Sequence, residues 1–262
     1  MPFGSEMAAA PGLHRLERLY IRVFGWPAAG LRVRAQRLLP VIETHLEGVR
    51  DVLDAGCGQG VFTLALARRF PQVCFEGIDL DPEQVTKGQR LAKILGMNNA
   101  RFSVGDLVSL DREAEFDMAI NIDSIEHISE DDMATASMFR ALRPGGLLIL
   151  HTPSLYRRFL GRVKPNLEIR GHVRPGYTSE ELRDLLTRNG FAVERILQVY
   201  GFCETLAQSI SYAITGAEMR NKELYGLVFP FLRGLAWLGK KAAPRHGNGL
   251  LALARRPMEE IV

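Results

Sequence analysis

The chain has 262 residues, of which 47% are hydrophobic and 24% charged, with 33 Lys and Arg against 30 Asp and Glu. This composition predicts one large globular domain, or one domain with an appendage, and excludes disordered, collagen-like and disulfide-scaffold chains. The three cysteines form no CxxC pair, which indicates neither a zinc knuckle nor a disulfide framework and suits a reducing cytoplasm.

The first 48 residues predict a helical leader. Apolar residues recur at helical spacing at Leu13, Leu16, Tyr20, Val23 and Phe24. After the break at Pro27 and Gly30, a second helix is predicted from Leu31 to about Leu46. The amino terminus lacks the basic start and apolar run of a secretory signal peptide, so we expect a cytoplasmic protein.

An alternation of strands and helices follows the leader. Six strands are predicted, at 51–54, 73–80, 100–104, 116–121, 146–152 and 191–200. Helices are predicted between them, at 61–70, 81–95 and 179–189, with a further acidic helix start at 123–132. This order is typical of a parallel sheet covered by helices on both faces.

A seventh strand is predicted only at 249–255, after about fifty residues that carry two amphipathic helical stretches, 205–215 and 224–241. The predicted organisation is therefore a leader (1–48), a Rossmann-like core (49–200), a helical insert (201–247), and a last strand with a tail (248–262).

The most informative motif is Val52-Leu-Asp-Ala-Gly-Cys-Gly-Gln-Gly60 at the end of the first strand. Glycines there let the backbone approach a ligand closely, and open α/β sheets bind ligands at that edge. A dinucleotide fingerprint would have its third glycine at position 61, which is Val61. The spacing thus favours a ligand whose aminoacyl part lies over the turn, rather than a pyrophosphate.

Two acids follow the next two strands. Asp79 ends the second strand and could accept both hydroxyls of a ribose, and Asp106 follows the third strand and could bind an adenine amino group. Either acid alone could equally be a helix cap. Three such features in order, at matching strand ends, predict a nucleoside-containing ligand.

The motifs VLDAGCGQG, GIDLDPEQV, VGDL, FDMAINIDSIEHI and LRPGGLLIL resemble those of class I S-adenosylmethionine (SAM)-dependent methyltransferases over about residues 50–200. The resemblance implies a Rossmann-like, seven-stranded, mostly parallel sheet with an antiparallel last strand. It also implies SAM as cofactor and S-adenosylhomocysteine as product.

The resemblance assigns cofactor contacts at four strand ends. The first strand end and its turn would hold the methionine part, through Asp54, Gly56, Cys57 and Gly58. Asp79 with Leu80 would bind the ribose, and Asp106 with Leu107 the adenine. Asn121 and Ile122, after the fourth strand, would line the side that faces the methyl group.

Within this family, the second half is most similar to ubiquinone-biosynthesis-type O-methyltransferases, through Asp123-x-x-Glu126-His127 and His172. In the quinone enzymes the acid-x-x-Glu-His segment lies against the acceptor. This implies Asp123, Glu126 and His127 as the catalytic group, with His127 as the first candidate base because an imidazole titrates near neutral pH. His151 and His172 are second candidates, and a purely structural His127 is the alternative.

Asp123, Glu126 and His127 could also share one helix face and hold a divalent cation. An acidic helix N-terminus explains the same residues more simply, so the sequence favours no metal site.

The formal charge of +3 is unevenly distributed. Residues 51–150 carry 16 acids and 9 basic residues, whereas the rest of the chain carries 24 basic residues and 14 acids. A basic segment, 156–174, and the insert 201–247 could rest on an anionic membrane surface. A cap over the acceptor and a homodimer contact are the alternatives, and no nucleic-acid motif is found.

Three functions are compatible with the sequence. The first is methyl transfer to a small molecule, chiefly to a hydroxyl of a lipophilic or aromatic metabolite, with an N- or C-acceptor as the alternative. The second is another enzyme class with this fold, such as a dehydrogenase, which Val61 disfavours. The third is a SAM-binding interaction protein without turnover.

Overall fold

The computed structural model describes residues 2–159, 162–165, 172–215, 222–240, 244 and 246–258. The strands are β1 Asp51–Ala55, β2 Cys74–Asp79, β3 Ala100–Val104, β4 Phe116–Ile122, β5 Leu142–Pro153, β6 Tyr156–Phe159, β7 Arg162–Pro165, β8 Ala192–Val199 and β9 Gly249–Arg255. The helices are α1 Arg15–Phe24, α2 Ala29–Thr44, α3 Val61–Arg69, α4 Pro82–Leu95, α5 Asp131–Ala141, α6 Ser179–Arg188, α7 Phe202–Thr215 and α8 Lys222–Leu238.

In the described part of the chain, seven strands form one sheet in the order β3-β2-β1-β4-β5-β9-β8. β1 to β5 are parallel, and β9 runs antiparallel between β5 and β8. The predicted seven-stranded sheet with an antiparallel last strand is therefore confirmed. Strand order reverses between β1 and β4, which opens a crevice at their carboxyl ends.

Successive side chains of the central strands belong to two different apolar layers, one on each face of the sheet. Val52 joins the layer formed with α2, α3, α4, α7 and α8, whereas Leu53 joins the layer formed with α5 and α6. Because neighbouring residues of a strand point to opposite faces, a strand covered on both sides must be apolar throughout. This requirement explains the unbroken apolar runs from which the strands were predicted.

Two predictions of local structure are wrong, and one element was not predicted. The helix expected at 123–132 is a short 3₁₀ turn, Ile125–His127, followed by α5, and Asp123 itself has φ +49°. The fifth strand begins at Leu142 rather than after the Pro-Gly-Gly turn, because Leu142 already pairs with Phe116 across a bulge. An antiparallel hairpin, β6–β7, was not predicted.

The hairpin falls within the basic segment 156–174 that was considered for membrane contact. Residues 160–161 and 166–171 of that segment lie outside the described residues. The prediction of a basic surface there consequently stays a prediction.

The leader and the insert pack on each other. Arg37 of α2 forms a bidentate ion pair with the buried Glu204 of α7, with N–O distances of 2.6 and 2.7 Å. The Tyr20 hydroxyl of α1 donates to the carbonyl of Gly226 in α8 at 2.7 Å. Of the helices described, none is both long and apolar enough to cross a bilayer.

Candidate functional site

The glycine motif forms a tight turn between β1 and α3. Gly56, Gly58 and Gly60 all have positive φ, the region that residues with a Cβ rarely adopt. The amides of Gly56 and Cys57 donate to the Ile78 carbonyl, and the Gly58 amide donates to Asp79 Oδ2 at 2.7 Å. A Cβ at Gly58 would meet no protein atom within 4 Å, so the turn leaves open space where a ligand could lie.

The two acids after β2 and β3 lie at the same edge of the sheet. Asp79 also accepts the Asp81 amide through Oδ1 at 3.0 Å, and the Gly105 amide donates to the Asp79 carbonyl. Asp106 is exposed, and its carboxylate accepts the Val108 amide at 2.9 Å. Both carboxylates are thus oriented by backbone amides and keep further acceptor capacity.

The other two predicted neighbours of these acids differ in exposure. Leu80 is exposed, whereas Leu107 is buried in the apolar layer under α5. Only Leu80 therefore offers an accessible apolar surface beside Asp79.

Two predicted residues lie deeper, at the ends of β1 and β4. The Asp54 carboxylate is buried and accepts the Thr63 hydroxyl at 2.5 Å. Burial raises its pKa to about 6, although the Thr63 bond works in the other direction. Asn121 is fully buried and its amide donates to the Ala55 carbonyl at 2.8 Å. Asn121 therefore ties β4 to β1, whereas Ile122 beside it faces the crevice.

The crevice at the β1–β4 switch holds a cleft of about 300 Å³. It is lined by Leu31, Arg34, Asp54, Gly56, Cys57, Gly58, Val61, Phe62, Ile122, Asp123, Glu126, His127 and His172. Eight of the predicted cofactor and catalytic residues line this cleft, four from β1 and the glycine turn and four from the end of β4 and the segment after it. Among the described residues, the insert contributes none of the lining, and α2 of the leader contributes Leu31 and Arg34.

Asp123 is held by two basic side chains. His151 Nδ1 lies 2.5 Å from Asp123 Oδ1, and Arg34 Nε pairs with Oδ2. Burial alone would raise the pKa of Asp123, but Arg34 and His151 outweigh it and hold that pKa at about 2. Both oxygens of the ionised carboxylate thus have a basic partner. The backbone of Asp123 has a positive φ, which is strained for a residue with a Cβ, and the contacts with Arg34 and His151 hold it there.

Unlike the pKa of Asp123, the pKa of Glu126 is raised. Its side chain is fully buried, Oε2 accepts the Thr152 hydroxyl at 3.2 Å, and Oε1 has no hydrogen-bond partner among the described residues. Burial, reinforced by the nearby Asp123 carboxylate, raises the pKa of Glu126 to about 8. Glu126 is therefore protonated at neutral pH, and its carboxyl can donate a proton or a hydrogen bond.

Two imidazoles lie beside Glu126. The rings of His127 and His172 meet edge-on with centroids 4.4 Å apart. His127 is exposed to the cleft, while burial and the neighbouring His127 lower the pKa of His172. His172 is thus neutral near pH 7 and able to accept a proton.

The three ligand atoms of Glu126, His127 and His172 lie within 4.8 Å of one another. Carboxylate and imidazole ligands in such a cluster could hold a divalent cation such as Zn²⁺ after small rotations. The cluster differs from the set considered from the sequence. Asp123 is not part of it, because Arg34 and His151 bind that carboxylate. His172 is the third member instead.

Glu126→Gln should change how stability depends on pH. The pKa of Glu126 is about 8 in the folded protein and lower when unfolded, so the folded state retains a proton that the unfolded state loses. The Glu126 contribution to stability is complete below about pH 4.5 and declines until about pH 8. We expect urea unfolding to show a decline of more than about 1 kcal/mol between pH 5 and 8 in the parent chain.

The Gln variant has the same shape and no charge, so this decline should shrink in it. Asp81→Ala removes a helix cap far from Glu126 and serves as the control that keeps the parent's pH dependence. Parallel curves for the parent and Glu126→Gln from pH 5 to 8 would show that Glu126 is ionised in the folded state.

Known proteins that are similar to this chain include methyltransferases. Residues 52–146 match a family described as a methyltransferase domain. The chain is 30% identical over 132 residues to norajmaline N-methyltransferase of Rauvolfia serpentina, covering 49% of this chain and 45% of that protein. It is 31% identical over 118 residues to a ubiquinone biosynthesis O-methyltransferase of Idiomarina loihiensis, covering 44% and 47%.

A crystal structure described as the [4+2]-cyclase SpnF superposes with a TM-score of 0.58 at 24% identity, over 87% of this chain and 80% of that one. This likeness concerns the fold alone. The chain spans about half the length of each of these two curated relatives.

Proposed function

Since the chain carries a methyltransferase domain of the class I SAM-dependent family, we propose that it moves a methyl group from SAM to a hydroxyl of a lipophilic or aromatic small molecule. The observation that carries the proposal is the arrangement of the cleft. One wall is the open glycine turn with Asp79 beside it, and the facing wall presents Glu126, His127 and His172.

The glycine-turn wall has the features that SAM requires. The backbone at Gly58 is open toward the cleft, and Asp79 and Asp106 lie beyond it at the ends of β2 and β3, suited to ribose hydroxyls and an adenine amine. Asp54, whose pKa of about 6 leaves it largely ionised at neutral pH, lines the cleft and favours a positively charged ligand. SAM, when bound, supplies a methyl group on a sulfonium that already carries its leaving group.

The facing wall suits an acceptor that must lose a proton. A hydroxyl placed against His127 could pass its proton to the imidazole as its oxygen bonds to the methyl carbon and the carbon–sulfur bond breaks. Glu126, neutral at pH 7, could donate a hydrogen bond that orients the acceptor. Asp123, fixed by Arg34 and His151, is a positioning group that holds the segment carrying Glu126 and His127.

A methyl-³H-SAM screen tests this proposal. The panel comprises quinols, phenols, amines and fatty acids, and we expect label in quinols or phenols and S-adenosylhomocysteine in equal amount. Label in amines alone would replace the hydroxyl by a nitrogen acceptor, the reaction that the name of the Rauvolfia relative describes. Tight SAM binding with no labelled product in any class would favour a binding protein without turnover.

A divalent cation on Glu126, His127 and His172 is the alternative way to acidify a hydroxyl. Repeating the screen after EDTA treatment separates the two. Turnover that persists without metal supports proton transfer to His127, and turnover that disappears and returns with Mg²⁺ or Zn²⁺ supports the cation.

A further inference from the structure

A second cavity of about 410 Å³ lies between the leader and α8. Its walls are apolar, with Phe3, Phe24, Leu39 and Trp237 among the lining residues, and two arginines, Arg32 and Arg233, also line it. It is separate from the cofactor cleft. The rings of Phe3 and Phe62, 4.8 Å apart, lie between the two, because Phe3 lines this cavity and Phe62 lines the cleft.

Neither arginine has a carboxylate partner among the described residues. Arg32 donates to the Phe3 carbonyl at 2.6 Å, and Arg233 reaches the Phe24 carbonyl at 3.5 Å. The nearby acids are occupied elsewhere, as Glu204 pairs with Arg37 and Glu43 with Arg69. Two half-buried guanidinium groups thus line one apolar cavity without a carboxylate partner among the described residues, and a bound anion would complete this arrangement.

The lowered pKa of Arg32 also indicates that an anion would be favourable in this cavity. Burial, then the positive charges of Arg233 and Arg69, lower the pKa of Arg32 to about 10. A bound anion would relieve both effects, since it neutralises the repulsion and supplies hydrogen-bond acceptors. Phosphate and carboxylate groups match the fork of an arginine side chain.

The outer border of the cavity is apolar and exposed. Pro230, Gly234 and Trp237 share the α8 face that lines the cavity. The adjoining face of α8 exposes Leu227, Phe231 and Leu238, with exposed fractions of 74%, 78% and 67%. Such a surface beside a charged cavity fits a ligand with an anionic head and a hydrocarbon chain.

We propose that the cavity between the leader and α8 binds an anionic amphiphile, whose phosphate or carboxylate head lies between Arg32 and Arg233 and whose chain lies against Trp237 and the exposed face of α8. The head could belong to a membrane lipid or to a free amphiphile. This site is independent of methyl transfer, because the cofactor cleft lies on the other side of Phe3 and Phe62.

Trp237 provides the readout, in a Trp26→Phe background that leaves it as the single tryptophan. The probes are dodecyl phosphate, dodecyl maltoside as the uncharged amphiphile with the same chain, and inorganic phosphate as the head alone. We expect dodecyl phosphate to bind at least tenfold more tightly than either. Equal binding of the maltoside would overturn the proposal, and this comparison requires no change at the arginines.

Arg233→Gln should weaken dodecyl phosphate binding tenfold or more. Arg22→Gln removes an exposed arginine of α1 outside the cavity and should leave binding unchanged. Affinity for S-adenosylhomocysteine should be the same in all three chains, which also shows that the variants fold. Parent-like binding of dodecyl phosphate by a folded Arg233→Gln variant would contradict the site.

Vesicles of phosphatidylcholine with and without phosphatidylglycerol identify the source of the head. If Arg233→Gln reduces binding to the anionic vesicles at least fivefold, the head is that of a membrane lipid. If it reduces binding of dodecyl phosphate alone, the ligand is a free amphiphile.

Discussion

His127→Ala should lower kcat about 10²–10⁴-fold, the range that a positioned general base contributes. His127 is exposed to the cleft beside Glu126 and His172, where an acceptor hydroxyl would lie. Affinity for S-adenosylhomocysteine should stay within threefold of the parent value, because the glycine turn and Asp79 are on the facing wall. The measurement is the initial rate of label transfer from methyl-³H-SAM to the acceptor found in the screen.

If His127 transfers a proton, two further results are expected that a structural role would not give. The acid limb of the pH profile of kcat/KM should disappear in His127→Ala, and added imidazole should restore part of the rate, since the site is open to solvent. His246→Ala removes an exposed histidine outside the lining residues and serves as the control. A loss smaller than tenfold, with the pH profile unchanged, would assign His127 a structural role.

Asp79→Ala should weaken the binding of S-adenosylhomocysteine by about 1–3 kcal/mol, roughly fivefold to 150-fold, the scale of hydrogen bonds to a charged group. The substitution removes the acceptor for the Gly58 amide, which shapes the turn, and also the acceptor that we propose for the ribose. Asp79→Asn keeps one carbonyl acceptor and should give an intermediate loss. Calorimetric titration measures all three affinities.

Asp81→Ala is the matched control for this series. Asp81 lies two residues away and caps α4 by accepting the amides of Glu83 and Gln84. Its loss should lower stability by about 1 kcal/mol and leave cofactor affinity unchanged. Unchanged affinity in Asp79→Ala would remove Asp79 from the cofactor site.

The alternation of strands and helices and the glycine turn could be predicted because they depend on local signals. Fully apolar strands must be covered on both faces, and a glycine with positive φ after a strand marks a turn with open backbone. The position of Asp79 and Asp106 at one edge of the sheet was predictable too, since the carboxyl ends of parallel strands meet there.

The facing wall of the cleft, with Asp123, Glu126, His127 and His172, could be predicted only in part. Asp123-x-x-Glu-His has helical spacing, but Asp123 has a positive φ and contacts Arg34 and His151. No residue near Asp123 in the sequence predicts these two partners. Nothing in the sequence distinguishes Arg34 from the other arginines of the leader, and His172 is 45 positions from His127. These contacts are set by how α2 and the segment after β5 close over the sheet.

Calorimetric titration of the chain with SAM and, in parallel, with NAD tests whether the cleft is a SAM site. We expect one SAM bound per chain and no heat with NAD, because Val61 stands where the third glycine of a dinucleotide turn would be. Binding of NAD with no heat from SAM would contradict this expectation.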